Sequence, residues 1–266
     1  MGFKQKYGPT ALVIGASEGL GAAWATEIAK KGLDLVLVAR RKEPLEALAN
    51  KLIEKYQIKV ISVVADLSDP NALNNIQLGI GQKEIGLLVY NVALSYIGPF
   101  LDNPAGAHAQ AINVNVLNPL LFVHHFGGEM VKRGKGGIIL MASLAGFQGA
   151  GFLTTYASTK AFDRVFGEGL WYEWKDKGVD VLACSAGATA TPNYIATKPK
   201  ALSFFAPKVQ TPEDVVEETI GKLGKVPSFI PGLGNRLAAF FMHRFMTRKL
   251  AVTVMGDTTK GMYGIN

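Results

Sequence analysis

The chain alternates short apolar runs with longer stretches of helical periodicity. Apolar runs lie at Thr10–Ile14, Asp34–Val38, Lys59–Val64, Gly86–Tyr90, Gly137–Ala142 and Val179–Cys184. Interleaved with them, helical patterns cover Ala22–Lys31, Pro44–Tyr56, Ala105–Arg133 and Thr154–Lys175. Short, continuous apolar runs read as buried strands, and their alternation with helices predicts an α/β doubly wound parallel sheet. Pro119 should kink or restart the helix that contains it. A helix opened by Thr211-Pro212, a short strand at Ser228–Ile230 and an amphipathic C-terminal helix over 234–250 complete the pattern. That last helix groups Leu237, Phe240, Phe241 and Phe245 on one face, with Arg236, Arg244, Arg248 and Lys249 around it.

Nothing in the 266 residues divides the chain. No Pro/Ser-rich linker, repeat or low-complexity tract interrupts it, so a single domain over 1–266 is expected. The 30 glycines and 48% hydrophobic content suit a packed enzyme core. The single cysteine, Cys184, sits in an apolar run and excludes an internal disulfide, which fits a reducing cytoplasm. No apolar run reaches the ~18 residues of a membrane helix, and no leader is expected at the N-terminus. The net charge of +7 is uneven: residues 194–266 carry ten Lys/Arg against five Asp/Glu. Without a recognition motif this does not point to nucleic acid. An anionic cofactor, an acidic substrate or a membrane surface explains it better.

Candidate chemistry gathers at the ends of the predicted strands. After the first strand comes Gly15-Ala16-Ser17-Glu18-Gly19-Leu20-Gly21, which opens a helix. Glycines there permit a tight turn and close approach to a pyrophosphate, while the helix start supplies amide donors. The spacing G-x-x-x-G-x-G differs from the commoner dinucleotide fingerprint, and an ordinary turn is the competing reading. The second strand ends in Ala39-Arg40-Arg41, which lacks the acid of an NAD site and offers cations for a 2′-phosphate. NADP(H) is therefore expected over NAD(H), although Glu18 opposes a further anion and both arginines could simply be solvated. Asp66-Leu67 follows the third strand, where the acid could meet adenine or serve a turn. Asn91 follows the fourth strand.

The helix over Thr154–Lys175 sets Tyr156 and Lys160 one turn apart on one face. A phenol ordinarily titrates at about pH 10, and a fixed ammonium nearby favours its anion. That makes Tyr156 a candidate general acid/base. Ser143 closes the preceding strand on the side where such sheets carry their sites. His124 and His125 read as packing or interface residues. His108 and His243 lack partners at metal spacing, so no metal is expected. The segment 193–211, with Tyr194, Ile195, Phe204 and Phe205, reads as an apolar substrate lid.

Taken together, the glycine loop, Asn91, Asn115, Ser143, Tyr156 and Lys160 make the sequence resemble the short-chain dehydrogenase/reductase family over residues 9–232. The resemblance implies a Rossmann-type sheet of about seven strands and assembly into dimers or tetramers. It implies that Tyr156 protonates a ketone oxygen while hydride moves from the nicotinamide. Ser143 would orient that oxygen, and Lys160 would hold the nicotinamide ribose. Asn115 would anchor a water linking Lys160 to solvent. Gly187, Thr189 and Thr191 match the stretch that meets the carboxamide. Ile14, Tyr90 and Ala186 depart from the family's usual residues without touching the catalytic group.

The expected function is a cytoplasmic, NADP(H)-dependent ketone or alcohol oxidoreductase acting on a lipophilic carbonyl compound. A cofactor-binding regulator or scaffold without turnover is the alternative. Docking of the C-terminal helix on a membrane surface is a further idea, set against packing of that helix on the subunit or its partner.

Overall fold

In the computed structural model, which describes residues 2–200 and 208–265, the apolar runs pair into one parallel sheet. Its strands are β1 (Thr10–Ile14), β2 (Asp34–Ala39), β3 (Val60–Val64), β4 (Ile85–Tyr90), β5 (Gly136–Ser143), β6 (Val179–Ala186) and β7 (Ser228–Phe229). Their order is β3-β2-β1-β4-β5-β6-β7, so the direction of winding reverses between β1 and β4. In register, Leu12 lies opposite Val36 on one side and Leu88 on the other.

Alternate strand residues face two separate cores, which explains the unbroken apolar runs. Ala11 and Val13 lie in one core with Trp24 and Ile28 of α2 (Gly19–Lys30), Leu45 and Leu52 of α3 (Lys42–Tyr56), and Val215 and Ile220 of α10 (Pro212–Ile220). Leu12 and Ile14 face the other way. There they meet Ile76 of α4 (Ala72–Ile80), Phe122 and Met130 of the 105–133 helix, and Phe166 and Trp171 of α8 (Thr154–Trp174). Each fully buried side chain of this size contributes roughly 1.5–3 kcal/mol. A five-residue helix, α1 (Phe3–Tyr7), precedes β1 and ties on through the Tyr7 hydroxyl, which donates to Asp180 at 2.6 Å.

Pro119 does not interrupt its helix. The helix runs as α5 (Ala105–Ile112), α6 (Asn118–Phe122) and α7 (Gly128–Arg133), joined by wider π turns at Asn113–Leu117 and Val123–Gly127. Leu117 and Asn118 keep right-handed helical angles, and the Asn118 amide reaches five residues back to the Asn113 carbonyl. Widening the turn just before Pro119 accommodates its missing N–H while the backbone angles stay helical. His124 and His125 are exposed on this helix, with the His125 ring edge-on to Phe126 at 4.7 Å between centroids.

The C-terminal helix expected over 234–250 is two helices. The first, α11 (Leu233–Phe245), stops where Met246 turns extended, at φ −95° and ψ 140°. Thr247 then caps α12 (Arg248–Tyr263) by accepting from the Leu250 amide at 3.3 Å. Arg248 donates to the Phe147 carbonyl at 3.0 Å, and the Met262 carbonyl accepts from the Lys200 amide at 2.9 Å. These bonds fold α12 back over the open edge of the site. Of the expected lid, α9 (Pro192–Ala196) is a short helix capped by Thr191, while Phe204 and Phe205 lie outside the described residues.

Thr247→Ala should remove the cap of α12, at a cost of about 1 kcal/mol. Amide exchange over 248–263 should then rise while exchange in β1 and β4 stays unchanged. Equal exchange in α12 before and after would show that packing alone holds it.

Candidate active site

The glycine loop is built for a close neighbour. Gly15 and Gly19 adopt φ of +84° and +54°, a region that side chains disfavour. A Cβ on Gly15 would come within 2.7 Å of Val92. Gly21 serves another purpose: its Cβ would lie 1.8 Å from the Gly15 carbonyl oxygen, so it lets α2 pack against the loop. Asn91 donates to that same carbonyl at 3.2 Å and fastens the loop to the end of β4. No side chain caps α2, which leaves its first-turn amides for an anionic group. The loop therefore fits the pyrophosphate of a dinucleotide.

At the far end of the crevice two ion pairs form. Arg41 lies 2.6 Å from Glu18, and Arg40 lies 4.0 Å from Asp66. Asp66 serves a turn, accepting from the Ser68 amide at 2.9 Å and the Ser68 hydroxyl at 2.8 Å. These bonds, with Arg40 adding to them, hold its carboxyl below the ordinary value despite partial burial. The next residue, Leu67, is buried, and its carbonyl accepts from Asn118.

The chemical end lies where β5 meets α8. The Ser143 hydroxyl oxygen accepts from the Ala145 amide at 3.2 Å, leaving its own proton free to donate. Lys160 and Tyr156 share a face of α8, with the ammonium 5.9 Å from the phenol ring centre. Lys160 is only 3% exposed and donates to the Met141 carbonyl at 2.6 Å and to Asp163 at 2.9 Å. Burial works against the charged amine. The Asp163 carboxylate, the Tyr156 phenol and the hydrogen bond to Asp163 outweigh that, holding Lys160 above its ordinary value.

Asn115 lies behind this group, fully buried in the first π turn. Its side chain accepts from the Leu94 amide and donates to the Leu94 carbonyl, each at 2.8 Å, and reaches Thr159 at 3.1 Å. With those groups engaged, its side chain braces the 91–95 loop. The backbone carbonyl of Asn115 is the group deprived of an i+4 donor by Pro119. The Tyr90 hydroxyl donates to the neighbouring Val114 carbonyl at 2.7 Å, which gives this departure from the family pattern a structural use.

Apart from Gly21 and Asn115, every site residue inferred from sequence lines one cavity of about 1680 Å³. Thr189 and Thr191 lie on its rim: Thr189 donates to the Gly187 carbonyl at 3.0 Å, and Thr191 accepts from the Tyr194 amide at 3.2 Å. The sequence reading missed the wall opposite. Met242 and Met246 come from α11 and the turn after it, while Met255, Met262 and Tyr263 come from α12. Thr247 as a cap before sixteen proline-free residues was the signal for α12. Cys184 is buried in β6, and burial pushes its thiol up to about 12, against a weaker contribution from Thr219. It is no nucleophile. No group of three or more His, Cys, Asp or Glu that could hold a metal occurs among the described residues.

A parallel sheet that gathers a phosphate-fitting glycine loop and a Ser–Tyr–Lys set at its switch point defines an oxidoreductase of the nicotinamide-dinucleotide class. The chain belongs to the short-chain dehydrogenase family, whose model matches residues 9–201. It is similar to a 7beta-hydroxysteroid dehydrogenase of Clostridium sardiniense, at 34% identity over 89% of this chain and 90% of the relative. It is also similar to the very-long-chain 3-oxoacyl-CoA reductase of Homo sapiens, at 30% identity over 90% and 73%. A solved structure from work on 7beta-hydroxysteroid dehydrogenase stereoselectivity superposes with a TM-score of 0.89 at 30% identity, covering 96% of this chain and 99% of the other. A short-chain dehydrogenase from Sphingobium yanoikuyae in complex with NADPH gives 0.76 at 28% identity, over 89% and 93%.

Proposed function

We propose that the protein is an NADP(H)-dependent oxidoreductase that interconverts a ketone and a secondary alcohol on a bulky lipophilic substrate. The carrying observation is that Ser143, Tyr156 and Lys160 open onto one large cavity whose opposite wall is lined by methionines. Flexible, polarisable methionines suit a broad apolar skeleton. The hydroxysteroid and long-chain acyl substrates named for the relatives support this size and polarity.

When bound, the nicotinamide supplies or takes up the hydride. The Ser143 O–H donates to the carbonyl oxygen and orients it. The Tyr156 hydroxyl gives that oxygen a proton in reduction, and its phenolate accepts the alcohol proton in oxidation. Lys160 has three donors. Two are taken by Met141 and Asp163, so one remains for the ribose hydroxyls. Asn115 holds the 91–95 wall in place. Helix α9 borders the substrate cavity through Tyr194, and the lone buried Cys184 thiol suits a cytoplasmic site of action.

Tyr156→Phe should lower kcat by at least about 100-fold, the scale of lost general acid catalysis, while NADPH affinity stays within about twofold. An unchanged rate would remove Tyr156 from the chemistry. Absence of turnover by the unaltered protein across hydroxysteroids, long-chain 3-oxoacyl compounds and small ketones would favour the cofactor-binding regulator instead. Faster turnover of small polar ketones would overturn the substrate class.

For the cofactor, Arg40 is the more available cation for a 2′-phosphate, because Glu18 holds Arg41 at 2.6 Å while Asp66 stands 4.0 Å from Arg40; the relative seen with NADPH supports this preference. Fluorescence titration should show NADPH binding more tightly than NADH, and Arg40→Ala should weaken NADPH alone by roughly tenfold or more, in line with a charge-assisted bond. Tighter NADH binding would overturn the assignment.

On α11, Leu237, Phe240, Phe241 and Phe245 are each at least half exposed, and a second copy of this chain is the occupant that would cover them. Light scattering should show a dimer or larger species that Phe240→Glu with Phe245→Glu dissociates. A monomer that sediments with anionic vesicles would transfer this face to a membrane surface.

A further inference from the structure

Lys160 and Asp163 stand apart from every other charged side chain in the described residues: both are at least nine-tenths buried, with 4% side-chain exposure each. They sit three residues apart on α8, joined at 2.9 Å. The second carboxylate oxygen of Asp163 is buried and has no hydrogen-bond partner among the described residues. A carboxylate left half satisfied in an apolar interior is costly. No turn, cap or surface network uses it, and the lysine is its single ionic contact. The remaining titratable groups that bear on the pair are the phenols of Tyr156, one turn earlier on α8, and Tyr90, at the end of β4.

We propose, building on the dehydrogenase reading, that Asp163 is a positioning residue for the catalytic lysine, setting both the direction of its ammonium and the field that reaches Tyr156. Direction follows from counting donors. Asp163 and the Met141 carbonyl take two of the three Lys160 protons. The amine is thus drawn towards the sheet and offers one donor to the cavity rather than two or three. The field follows from charge. An anion 2.9 Å from the ammonium offsets part of its attraction for a phenolate, and the same anion keeps the buried amine protonated against desolvation. Asp163 therefore favours the charged lysine and moderates its pull on the phenol, while burial raises the Asp163 carboxyl itself against the stabilising charge of Lys160.

The test compares Asp163→Asn with the unaltered enzyme in the oxidative direction, measuring kcat from pH 6 to pH 10. The amide keeps shape and removes charge. Its kcat relative to the unaltered enzyme should fall at least tenfold as pH rises. At low pH the unopposed ammonium favours the phenolate, and at high pH the amine, deprived of its anion, loses its proton. A ratio that stays constant across pH would reduce Asp163 to a packing residue and overturn the proposal.

Folding supplies a second readout that needs no turnover. Lys160→Met with Asp163→Val should melt at a higher temperature than either single variant, because each single change strands a buried charge. Simple addition of the two losses would also overturn the pairing. Failure of the dehydrogenase reading would show separately, as an unaltered protein with neither NADPH binding nor turnover.

Discussion

The structure depends on a parallel sheet covered on both faces. With Ala11 and Val13 in one core and Leu12 and Ile14 in the other, the sheet interior penalises polar side chains, and Ser185 of β6 is a buried hydroxyl without a partner among the described residues. Chemistry is displaced to the strand ends. The reversal of winding between β1 and β4 opens those ends into a crevice. The glycine loop, Asn91, Ser143 and Gly187 all follow or close strands at that edge. The lysine is the exception, since it must cross from α8 towards β5 to reach its place. An anion beside an ammonium offsets the cost of burying it, and Asp163 stands 2.9 Å from this amine.

That burial also separates what was legible in the sequence from what was not. The strands were legible because burial on both sides leaves uninterrupted apolar runs. Tyr156 and Lys160 were legible because helical spacing alone sets them on one face. Asp163 was not: an acid three residues after a lysine ordinarily reads as a solvated surface pair. Only the packing of α8 against β5 and β6 turns that pair inward. Asn115 was found, but its use was not. The sequence suggested a polar side chain at a helix break, whereas the helix widens, continues, and turns that side chain onto Leu94.

The C-terminal region shows the opposite limit. The phenylalanines of α11 dominated the pattern, and a single helix over 234–250 accounted for them. The break depends on one extended residue and one hydroxyl cap, signals far weaker than a stripe of aromatics. Helix α4 was passed over although Ala72, Ile76 and Ile80 keep helical spacing on its buried face, because it is only nine residues long and includes Asn74, Asn75 and Gly79, which are poor helix formers. In both cases tertiary contacts supply the stability that local propensity does not.

The adenosine end shows why counting charges is a poor guide to cofactor choice. Arg40 and Arg41 face Glu18 and Asp66, so the four groups together are neutral. The pairs are not equivalent. Glu18 engages Arg41 at 2.6 Å and spends that cation locally. Asp66 already accepts two bonds from Ser68 and stands 4.0 Å from Arg40. A carboxylate so satisfied competes weakly for a guanidinium, and a phosphate dianion with several open acceptors competes strongly. The proposed preference for NADP(H) would therefore turn on which acid is already occupied, a property of hydrogen bonding that net charge does not register.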